Sequence, residues 1–374
     1  MKKIAIITLH GYFNFGNRLQ NYALQETLKI FNYEVQTIPV DINSFVCKNN
    51  KISNKIARIK QMTIKMIIKK ICGILRDFKN KKANFLRKEL FIDFTKKNIA
   101  ESDFVINSEN LNDFFLRNFE FFVTGSDQVW NPNITFEASI AFFLLFSEKN
   151  KRIAYAPSFG VSVIPTKYKL KYQQWLNEIT HLSIREELGA NIIKELTGRN
   201  VPVLVDPTLL LTKEQWLSIS KVHSEKPKQE YLISYFLGEK TKDAIKFIEK
   251  ISKKYKLKIV NLAEIREKKY FFVGPSEFVD YLYSSKIIIT DSFHGTVFSI
   301  LFEKPFVVFD RVGTYSMNSR IDTLLSKFHL NSRKWDILDR DVEILSIDYS
   351  DAYPVLQTER KKAFDYLQSI FRDN

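Results

Sequence analysis

The sequence has few of the residues that build disulfide frameworks and zinc sites. Its two cysteines, Cys47 and Cys72, lie outside any Cys-x-x-Cys pattern or Cys/His cluster. A disulfide-stapled fold and a structural zinc site are therefore poorly supported. The chain also lacks an apolar run of about 18 residues or more, so we expect no segment that spans a membrane.

A secretory signal core is absent from the start of the sequence as well. The opening MKKIAIITLHGY has six uncharged residues between Lys3 and His10, which is too short for such a core. The same residues predict a first β-strand over residues 3–9. We therefore expect a cytoplasmic protein.

The chain does contain enough apolar material for large cores. Of its 374 residues, 45% are hydrophobic and 14% aromatic, which is typical of a globular chain and favours two domains over one. Short β-branched runs alternate with helical patterns, which predicts an α/β fold with parallel sheets. Strands are predicted at residues 3–9, 34–38, 153–155, 181–184, 258–262, 287–290 and 306–309. Three more strands are predicted in the segments FEFFVTG, YLISYFLG and VPVLVDPTLLL. Helices are predicted at 18–31, 241–255 and 296–302.

A polar stretch divides this α/β pattern. The run KVHSEKPKQE, at 221–230, is typical of a linker. The sequence thus predicts two Rossmann-like, doubly wound domains, over residues 1–220 and 221–374, with an interdomain cleft. Because ligands bind outside the carboxyl ends of parallel strands, we expect the turns that follow those strands to face this cleft. The sequence leaves open on which half the closing helix, in TERKKAFDYLQSIFRDN, packs.

Most of the positive charge lies in one segment. Residues 48–97 hold 16 Lys or Arg against 3 Asp or Glu, nearly the whole net charge of +15. Either this segment is a helix lying on an anionic membrane surface, or it is an ordinary surface helix of a lysine-rich protein. Nucleic-acid binding is not favoured, because no recognised DNA or RNA motif accompanies the charge. A basic amphipathic helix is predicted from apolar residues at three- and four-residue spacing: Ile52, Ile56, Ile59, Thr63, Met66, Ile67, Ile71, Ile74, Leu75 and Phe78.

The turn after the first predicted strand, GYFNFGNRLQ, combines glycines with amide and guanidinium side chains. Asn14, Gly16, Asn17 and Arg18 lie at the start of the following helix, where backbone amides attract anions or sugar hydroxyls. A well-capped structural turn explains the same residues. The pattern is not Gly-x-Gly-x-x-Gly, so it does not predict a dinucleotide site.

Arg185, in SIREE, follows another predicted strand. A guanidinium at that place can hold a carboxylate or a phosphate with two hydrogen bonds. The alternative is a salt bridge to Glu186 or Glu187.

The stretch SSKIIITDSFHGTVFSILFEKPFVVF contains one of only five histidines. We predict a strand that ends near Thr290, a turn from Asp291 to Gly295 that includes His294, and then a helix. The backbone amides of the helix start, together with Ser292, Gly295 and Thr296, could bind a phosphate, which would favour the protonated imidazole. A structural hydrogen-bonding role is the alternative for His294.

Seven segments in one order resemble the polysaccharide pyruvyl transferase family. They are FNFGNRLQNYALQ, VTGSDQVWNP, RIAYAPSFG, SIREE, VPVLVDPTLLL, TDSFHGTVFSILFEKPFV and SMNSRIDTLL, and they extend to about residue 325. The resemblance implies a fold similar to the GT-B glycosyltransferases. It also implies a reaction, without metal or other cofactor, in which phosphoenolpyruvate places a pyruvate ketal on a sugar of a bacterial surface polysaccharide or its lipid-linked precursor. The first domain would face this acceptor and the second the donor.

The resemblance implies roles for two residues. His294 corresponds to the proposed general acid of the family, and Arg185 is the best match to the arginine that binds phosphoenolpyruvate. The sequence departs from the family where several relatives have Arg-Leu-His, because Ser292 and Phe293 precede His294 here. The missing positive charge would have to come from another cation: Lys304, Arg311 or Arg320.

The segment VTGSDQVWNP would face the cleft from the first domain. Asp127 is a candidate to orient or deprotonate the acceptor hydroxyl, and Ser126 and Gln128 are candidate substrate contacts. Asp127 is equally consistent with a turn cap. Trp130 could stack on a sugar ring or belong to the core.

Two other functions remain consistent with the sequence. A nucleotide-sugar glycosyltransferase would use the same two-lobed scaffold and phosphate-binding second lobe. A non-catalytic partner of a polysaccharide assembly complex would use the basic helix alone.

Overall fold

The computed structural model describes residues 2–46, 64–312, 318–339 and 343–372, with the side chains of the long basic helix described from residue 80 onward. The first half contains β1 (Lys3–Ile7), α1 (Phe15–Lys29), β2 (Glu34–Thr37), α2 (Ile64–Asn98), β3 (Phe121–Thr124), α3 (Ser139–Phe142), β4 (Arg152–Ala154), α4 (Lys169–Asn177), β5 (His181–Leu182), α5 (Glu187–Thr197) and α6 (Lys213–Ser218).

The second half repeats the alternation of strand and helix. It contains β6 (Tyr231–Tyr235), α7 (Lys242–Tyr255), β7 (Lys258–Leu262), α8 (Lys268–Phe271), α9 (Pro275–Ser284), β8 (Ile287–Thr290), α10 (Phe293–Leu301), β9 (Phe306–Val308), α11 (Asn318–Lys327) and α12 (Ala352–Phe371).

Each half is built on a parallel sheet. The first sheet has the order β2-β1-β3-β4-β5 and the second the order β7-β6-β8-β9. Central strands such as β3, β6 and β8 are buried along their whole length, which explains their continuous apolar sequences. The predicted fold class, two Rossmann-like α/β halves, is confirmed.

The strand orders fix where each sheet can hold a ligand. In the first sheet β1 pairs with β2 on one side and with β3 on the other. In the second sheet β6 pairs with β7 on one side and with β8 on the other. The connections therefore diverge between β1 and β3 and between β6 and β8, which leaves a crevice at the carboxyl ends of those strands. Asp127 follows β3 and His294 follows β8, so both lie at such points.

An apolar core joins the two halves. Phe15, at the start of α1, stacks on Phe278 of α9 with ring centroids 4.2 Å apart and on Phe91 of α2 at 5.2 Å. The buried guanidinium of Arg87, in α2, donates to the carbonyl of Phe271 across the same junction. One cluster of buried apolar side chains therefore includes residues of both sheets.

The closing helix α12 packs against the first half. The Tyr366 hydroxyl donates to the carbonyl of Ala154 in β4, and the Phe371 ring lies 5.4 Å from that of Phe121 in β3. The Arg360 guanidinium donates to the carbonyls of Leu209 and Leu211. The chain therefore returns to its first half after completing the second sheet.

The structure corrects two local predictions. Helix α10 begins at Phe293, not at residue 296, so Phe293, His294 and Gly295 belong to its first turn and not to the preceding loop. The VPVLV segment forms no strand; Val203 makes an isolated bridge with Ile184, and a 3-10 helix, Pro207–Leu209, follows with Asp206 as its cap.

The basic segment is helical where it is described. Helix α2 covers Ile64–Asn98, whereas the predicted apolar positions Ile52, Ile56, Ile59 and Thr63 lie outside the described residues. Within the described ranges, no helix combines the length and the apolar character needed to cross a membrane.

Candidate active site

Five charged or titratable side chains from both halves meet where the halves contact each other. We call Asp127, Arg185, Asp206, His294 and Arg320 the His294 cluster. Asp127 follows β3, Arg185 follows β5, His294 lies in the first turn of α10, and Arg320 lies in the first turn of α11. All five are buried.

Arg185 is held by two carboxylates. Its Nη1 lies 2.6 Å from Asp206 Oδ2 and its Nη2 lies 3.4 Å from Asp127 Oδ1. Its guanidinium carbon is 4.6 Å from the centre of the Phe293 ring. The sequence offered Glu186 or Glu187 as partners, but the observed partners are 21 and 58 positions away in the chain.

The two carboxylates remain ionised in spite of their burial. Burial alone would raise the pKa of Asp127, but Arg185, His294 and Arg320 lower it below its ordinary value. The pKa of Asp206 is also lowered against the effect of burial, by His294 and Arg185 and by hydrogen bonds from Thr208. The cluster is therefore a network of mutually compensating charges.

Arg320 is less completely engaged than Arg185. Its Nη1 is 3.7 Å from Asp127 Oδ1. Burial, followed by the like charge of Arg185, lowers the pKa of Arg320 to about 10, so it still carries its charge at neutral pH.

The His294 imidazole lies between α10 and the start of α1. The residue is 6% exposed, and its Nε2 is 3.8 Å from Asp206 Oδ1, which is too long for a hydrogen bond. Burial lowers the pKa of His294, although Asp206 and Asp127 oppose this shift. On the other side of the ring, a β carbon at Gly16 would lie 2.0 Å from Nδ1, so only glycine fits there.

Several buried polar atoms of this region have no hydrogen-bond partner among the described residues. They are Arg185 Nε, Glu186 Oε2, His294 Nε2 and Arg320 Nε. Buried polar groups are nearly always paired with protein or water. Four unpaired atoms around one cluster therefore indicate a place where a ligand or water completes the hydrogen bonding.

The start of α10 is stabilised by its own side chains. Ser292 Oγ accepts from the Gly295 amide at 3.3 Å, and Thr296 Oγ1 donates to the Ser292 carbonyl at 3.0 Å. A β carbon at Gly295 would lie 2.7 Å from Thr290 Oγ1, so this glycine lets the helix approach β8. These contacts build the helix start; substrate binding by Ser292, Gly295 and Thr296 stays a prediction.

Of the cations proposed to replace the missing arginine, Arg320 alone belongs to the His294 cluster. Arg311 Nε donates to Asp291 Oδ2 at 3.3 Å. Lys304 Nζ lies over the Tyr283 ring, 5.3 Å from its centre. Sequence spacing could not show which of these three cations reaches the His294 cluster, because their positions depend on how α11 and the loops fold onto the rest of the protein.

Some of the predicted residues of the first half lie at the His294 cluster and others do not. Ser126 joins the His294 cluster, since its Oγ donates to Asp206 Oδ2 at 3.0 Å. Gly16 contacts His294, whereas Asn17 Oδ1 accepts from the Gly11 amide at 3.2 Å and from Arg18. Asn14 immediately precedes α1, and Gln128 Oε1 accepts from Asn131 Nδ2 at 2.7 Å.

The sugar-stacking interpretation of Trp130 is wrong. This side chain is fully buried, its ring stacks on Phe143 with centroids 4.9 Å apart, and its Nε1 donates to the Phe142 carbonyl. The surrounding aromatic core explains its presence after the SDQ turn.

Sequence reasoning missed Asp206 and Glu186. The signal for Asp206 was an acidic residue directly after the apolar run VPVLV, at the point where Pro207 ends it. Glu186 is adjacent to Arg185 but binds elsewhere, accepting from Ser158 Oγ at 2.8 Å and from the Phe159 amide at 3.2 Å. Burial raises the pKa of Glu186.

Comparisons with solved structures support the fold. The chain is similar to a protein from Listeria monocytogenes assigned as a UDP-N-acetylglucosamine 2-epimerase, with 11% identity and a TM-score of 0.54 over all of this chain and 98% of that one. It also matches Anabaena HepE in complex with UDP and glucose, at 9% identity and a TM-score of 0.43 over 99% of this chain and all of that one. The first likeness shows a shared GT-B-like fold alone, and the second is too low to carry an argument.

Comparisons of sequence identify the family. A search of curated proteins finds no match. The sequence profile described as polysaccharide pyruvyl transferase matches residues 14–311, which is most of the chain. The matched range contains Gly16, Asp127, Arg185, Asp206 and His294. The chain therefore belongs to the polysaccharide pyruvyl transferase family.

Proposed function

We propose that this protein transfers the pyruvate unit of phosphoenolpyruvate to a sugar of a bacterial surface polysaccharide, or of its lipid-linked precursor, as a cyclic ketal. The family assignment gives the reaction class. The observation that carries the proposal is the buried His294 cluster at the start of α10, with its unpaired nitrogen atoms on His294, Arg185 and Arg320.

The donor would lie where the charges and the helix start meet. Phosphoenolpyruvate carries a phosphate and a carboxylate, and both are suited to guanidinium groups and to backbone amides at a helix N-terminus. Arg320 is the candidate for the charge that the family supplies from the residue before Phe293, because its Nε has no hydrogen-bond partner among the residues that the structure describes. Arg185, already bound by Asp127 and Asp206, would contribute its Nε and its charge.

His294 would act as the general acid. A proton from His294 adds to the methylene carbon of the enol while a sugar hydroxyl adds to the neighbouring carbon, and the proton of that hydroxyl returns to the imidazole. A second hydroxyl of the same sugar then displaces phosphate and closes the ketal, and its proton leaves on the phosphate. Because burial lowers the pKa of His294 in the free protein, the negative charge of the bound phosphate would be needed to hold the imidazole protonated.

Asp127 would orient the acceptor hydroxyl. Its salt bridges to Arg185 and Arg320 and its lowered pKa make it a weak base. A hydrogen bond that positions the attacking oxygen fits these contacts better than proton removal.

The test is to incubate the protein with phosphoenolpyruvate and a synthetic or lipid-linked galactoside and to follow phosphate release and product mass. Phosphate release together with a glycan that has gained one pyruvate ketal supports the proposal. Turnover of nucleotide sugars, with none of phosphoenolpyruvate, would instead support the glycosyltransferase alternative.

We also propose that the protein binds peripherally to the inner face of an anionic membrane through α2. Phe85 and Leu86 in the described part of this helix are 61% and 45% exposed, next to the exposed residues Lys81 and Lys82. Exposed bulky apolar side chains beside lysines are typical of a helix that lies in a membrane interface.

This membrane proposal predicts salt-sensitive sedimentation with vesicles that contain phosphatidylserine. Replacing Lys81 and Lys82 by Glu should weaken binding at low salt, while the same change at Lys250 and Lys253, exposed on α7, should not. Binding that persists above roughly 0.5 M salt, where charges are screened within a few ångströms, would contradict it.

A further inference from the structure

A second polar cluster lies at the carboxyl edge of the first sheet, away from His294. We call His10, Tyr12, Arg18 and Glu101 the His10 cluster. His10 Nε2 is 2.9 Å from Glu101 Oε2, the Tyr12 hydroxyl is 3.2 Å from His10 Nε2, and Arg18 Nη1 is 3.4 Å from Glu101 Oε2.

Three segments of the first half bring this cluster together. His10 and Tyr12 follow β1, Arg18 lies in the first turns of α1, and Glu101 follows α2 and forms a bridge with Thr37 at the end of β2. The cluster thus lies at the end of a parallel sheet where ligands bind.

The charges of the His10 cluster are balanced. Arg18 is completely buried and donates to Glu101, to Asn17 Oδ1 and to the Leu9 carbonyl, so it fixes the carboxylate and compensates its charge. A phosphate would meet the Glu101 carboxylate here, while Arg18 is already engaged by it and Lys88 Nζ lies over the Tyr12 ring, 5.4 Å from its centre. An uncharged polyol would meet a carboxylate, a phenol and an imidazole, which are suitable partners for sugar hydroxyls.

The cluster is partly open to solvent. The His10 and Glu101 side chains are 19% and 20% exposed, and His10 Nδ1 has no hydrogen-bond partner in the part of the chain that the structure describes. The neighbouring Phe13 is 52% exposed and offers an apolar ring of the kind that packs on a sugar face.

Helix α1 separates the two clusters. Gly16 contacts His294, and Arg18, two residues later, projects about 200° further around the helix axis. A molecule bound at the His10 cluster would therefore lie beside the reacting centre and not in it.

We infer that His10, Tyr12 and Glu101 form a carbohydrate subsite, which holds a sugar unit next to the one that is modified, with Arg18 as a positioning residue for Glu101. The inference rests on the proposed function, because it assigns this subsite to the acceptor. It separates donor and acceptor by charge: the anionic donor uses the arginines of the His294 cluster, and the uncharged glycan uses the balanced His10 cluster.

The test uses Glu101→Gln, His10→Asn and Arg18→Gln in the full chain. With a galactose-containing disaccharide as acceptor, we expect each change to raise the acceptor KM about ten-fold, the loss expected for hydrogen bonds to a charged group, with kcat and the KM for phosphoenolpyruvate unchanged. The matched control is His223→Asn in the second half, which removes a similar bond, 3.1 Å from His223 Nδ1 to the Tyr281 hydroxyl, and should leave all three constants unchanged.

A binding measurement keeps the inference separate from the reaction. Saturation-transfer NMR with methyl glycosides of galactose, glucose, mannose and N-acetylglucosamine, without phosphoenolpyruvate, should show binding to the parent protein that Glu101→Gln removes. Failure to turn over phosphoenolpyruvate would overturn the proposed function, whereas glycoside binding that is insensitive to Glu101→Gln would overturn the subsite. A lower Tm with unchanged acceptor KM would also overturn it, since the cluster would then be structural only.

Discussion

The two polar clusters of this protein differ in how they are assembled. The His294 cluster takes its charged side chains from both halves and buries them, so each charge depends on a partner from a distant segment. The His10 cluster is built within the first half and keeps its imidazole and carboxylate partly exposed. The comparison indicates that His294 and Arg320 meet the acidic residues of the first half where the halves dock, while a polar binding edge is available on one half alone.

The largest loss of turnover should follow from replacing His294. Replacing it by Asn removes the proposed proton donor, so turnover should fall by about 100- to 10,000-fold with little change in the acceptor KM. Steady-state kinetics with phosphoenolpyruvate, beside His10→Asn, measure this. Equal turnover of His294→Asn and the parent would place the proton donor elsewhere.

Arg185→Ala should affect both donor binding and the fold. It leaves Asp127 and Asp206 buried without their main cation, which should lower the free energy of unfolding by about 3 to 5 kcal/mol, and it should raise the KM for phosphoenolpyruvate. Urea unfolding and kinetics measure the two effects. Glu101→Gln, in the partly exposed His10 cluster, is the comparison and should lower the free energy of unfolding less. Equal losses in the two variants would show that the two clusters do not differ in how much their charge pairs stabilise the fold.

Gly16→Ala tests whether the contact between α1 and His294 is tight. The new β carbon would meet the imidazole at 2.0 Å, whereas a β carbon at Gly11 would have no heavy atom within 4 Å. We expect Gly16→Ala to displace His294 and to lower kcat by about 100-fold, and Gly11→Ala to have no effect. Alanine otherwise stabilises a helix relative to glycine by about 1 kcal/mol. A Gly16→Ala protein that is active and more stable would therefore show that α1 and the His294 imidazole are not in contact.

Stability should fall as the pH falls, and the His294 cluster should be the reason. The folded pKa of His294 lies below its ordinary 6.5, so the unfolded chain binds the proton first and the free energy of unfolding decreases below about that pH. Asp127 and Asp206, whose folded pKa values lie below 3.8, add a further loss at lower pH, while Glu186, whose pKa is raised by burial, acts in the opposite direction. Urea unfolding from pH 8 to pH 4 should show a larger first decrease in the parent than in His294→Asn, which keeps His181, another histidine whose pKa is lowered by burial.

Much of the fold could be predicted from the sequence because its central strands, such as β3, β6 and β8, are buried on both faces. The predicted runs at 258–262 and 287–290 coincide with the edge strand β7 and the central strand β8. The VPVLV segment has the same apolar character yet finds only one bridge partner, since pairing requires a neighbour that the local sequence does not specify.

The sequence by itself determined the two α/β halves, the family, and the polar residues at the ends of the strands, because these follow from local periodicity and from segments in a fixed order. Only the tertiary structure decided that Arg185 binds Asp206 and Asp127, that Arg320 joins them, and that Gly16 packs on His294. The physical reason is that a buried charge is stable only beside a compensating group, and which group arrives there depends on how distant segments fold together within the first half and on how the two halves dock.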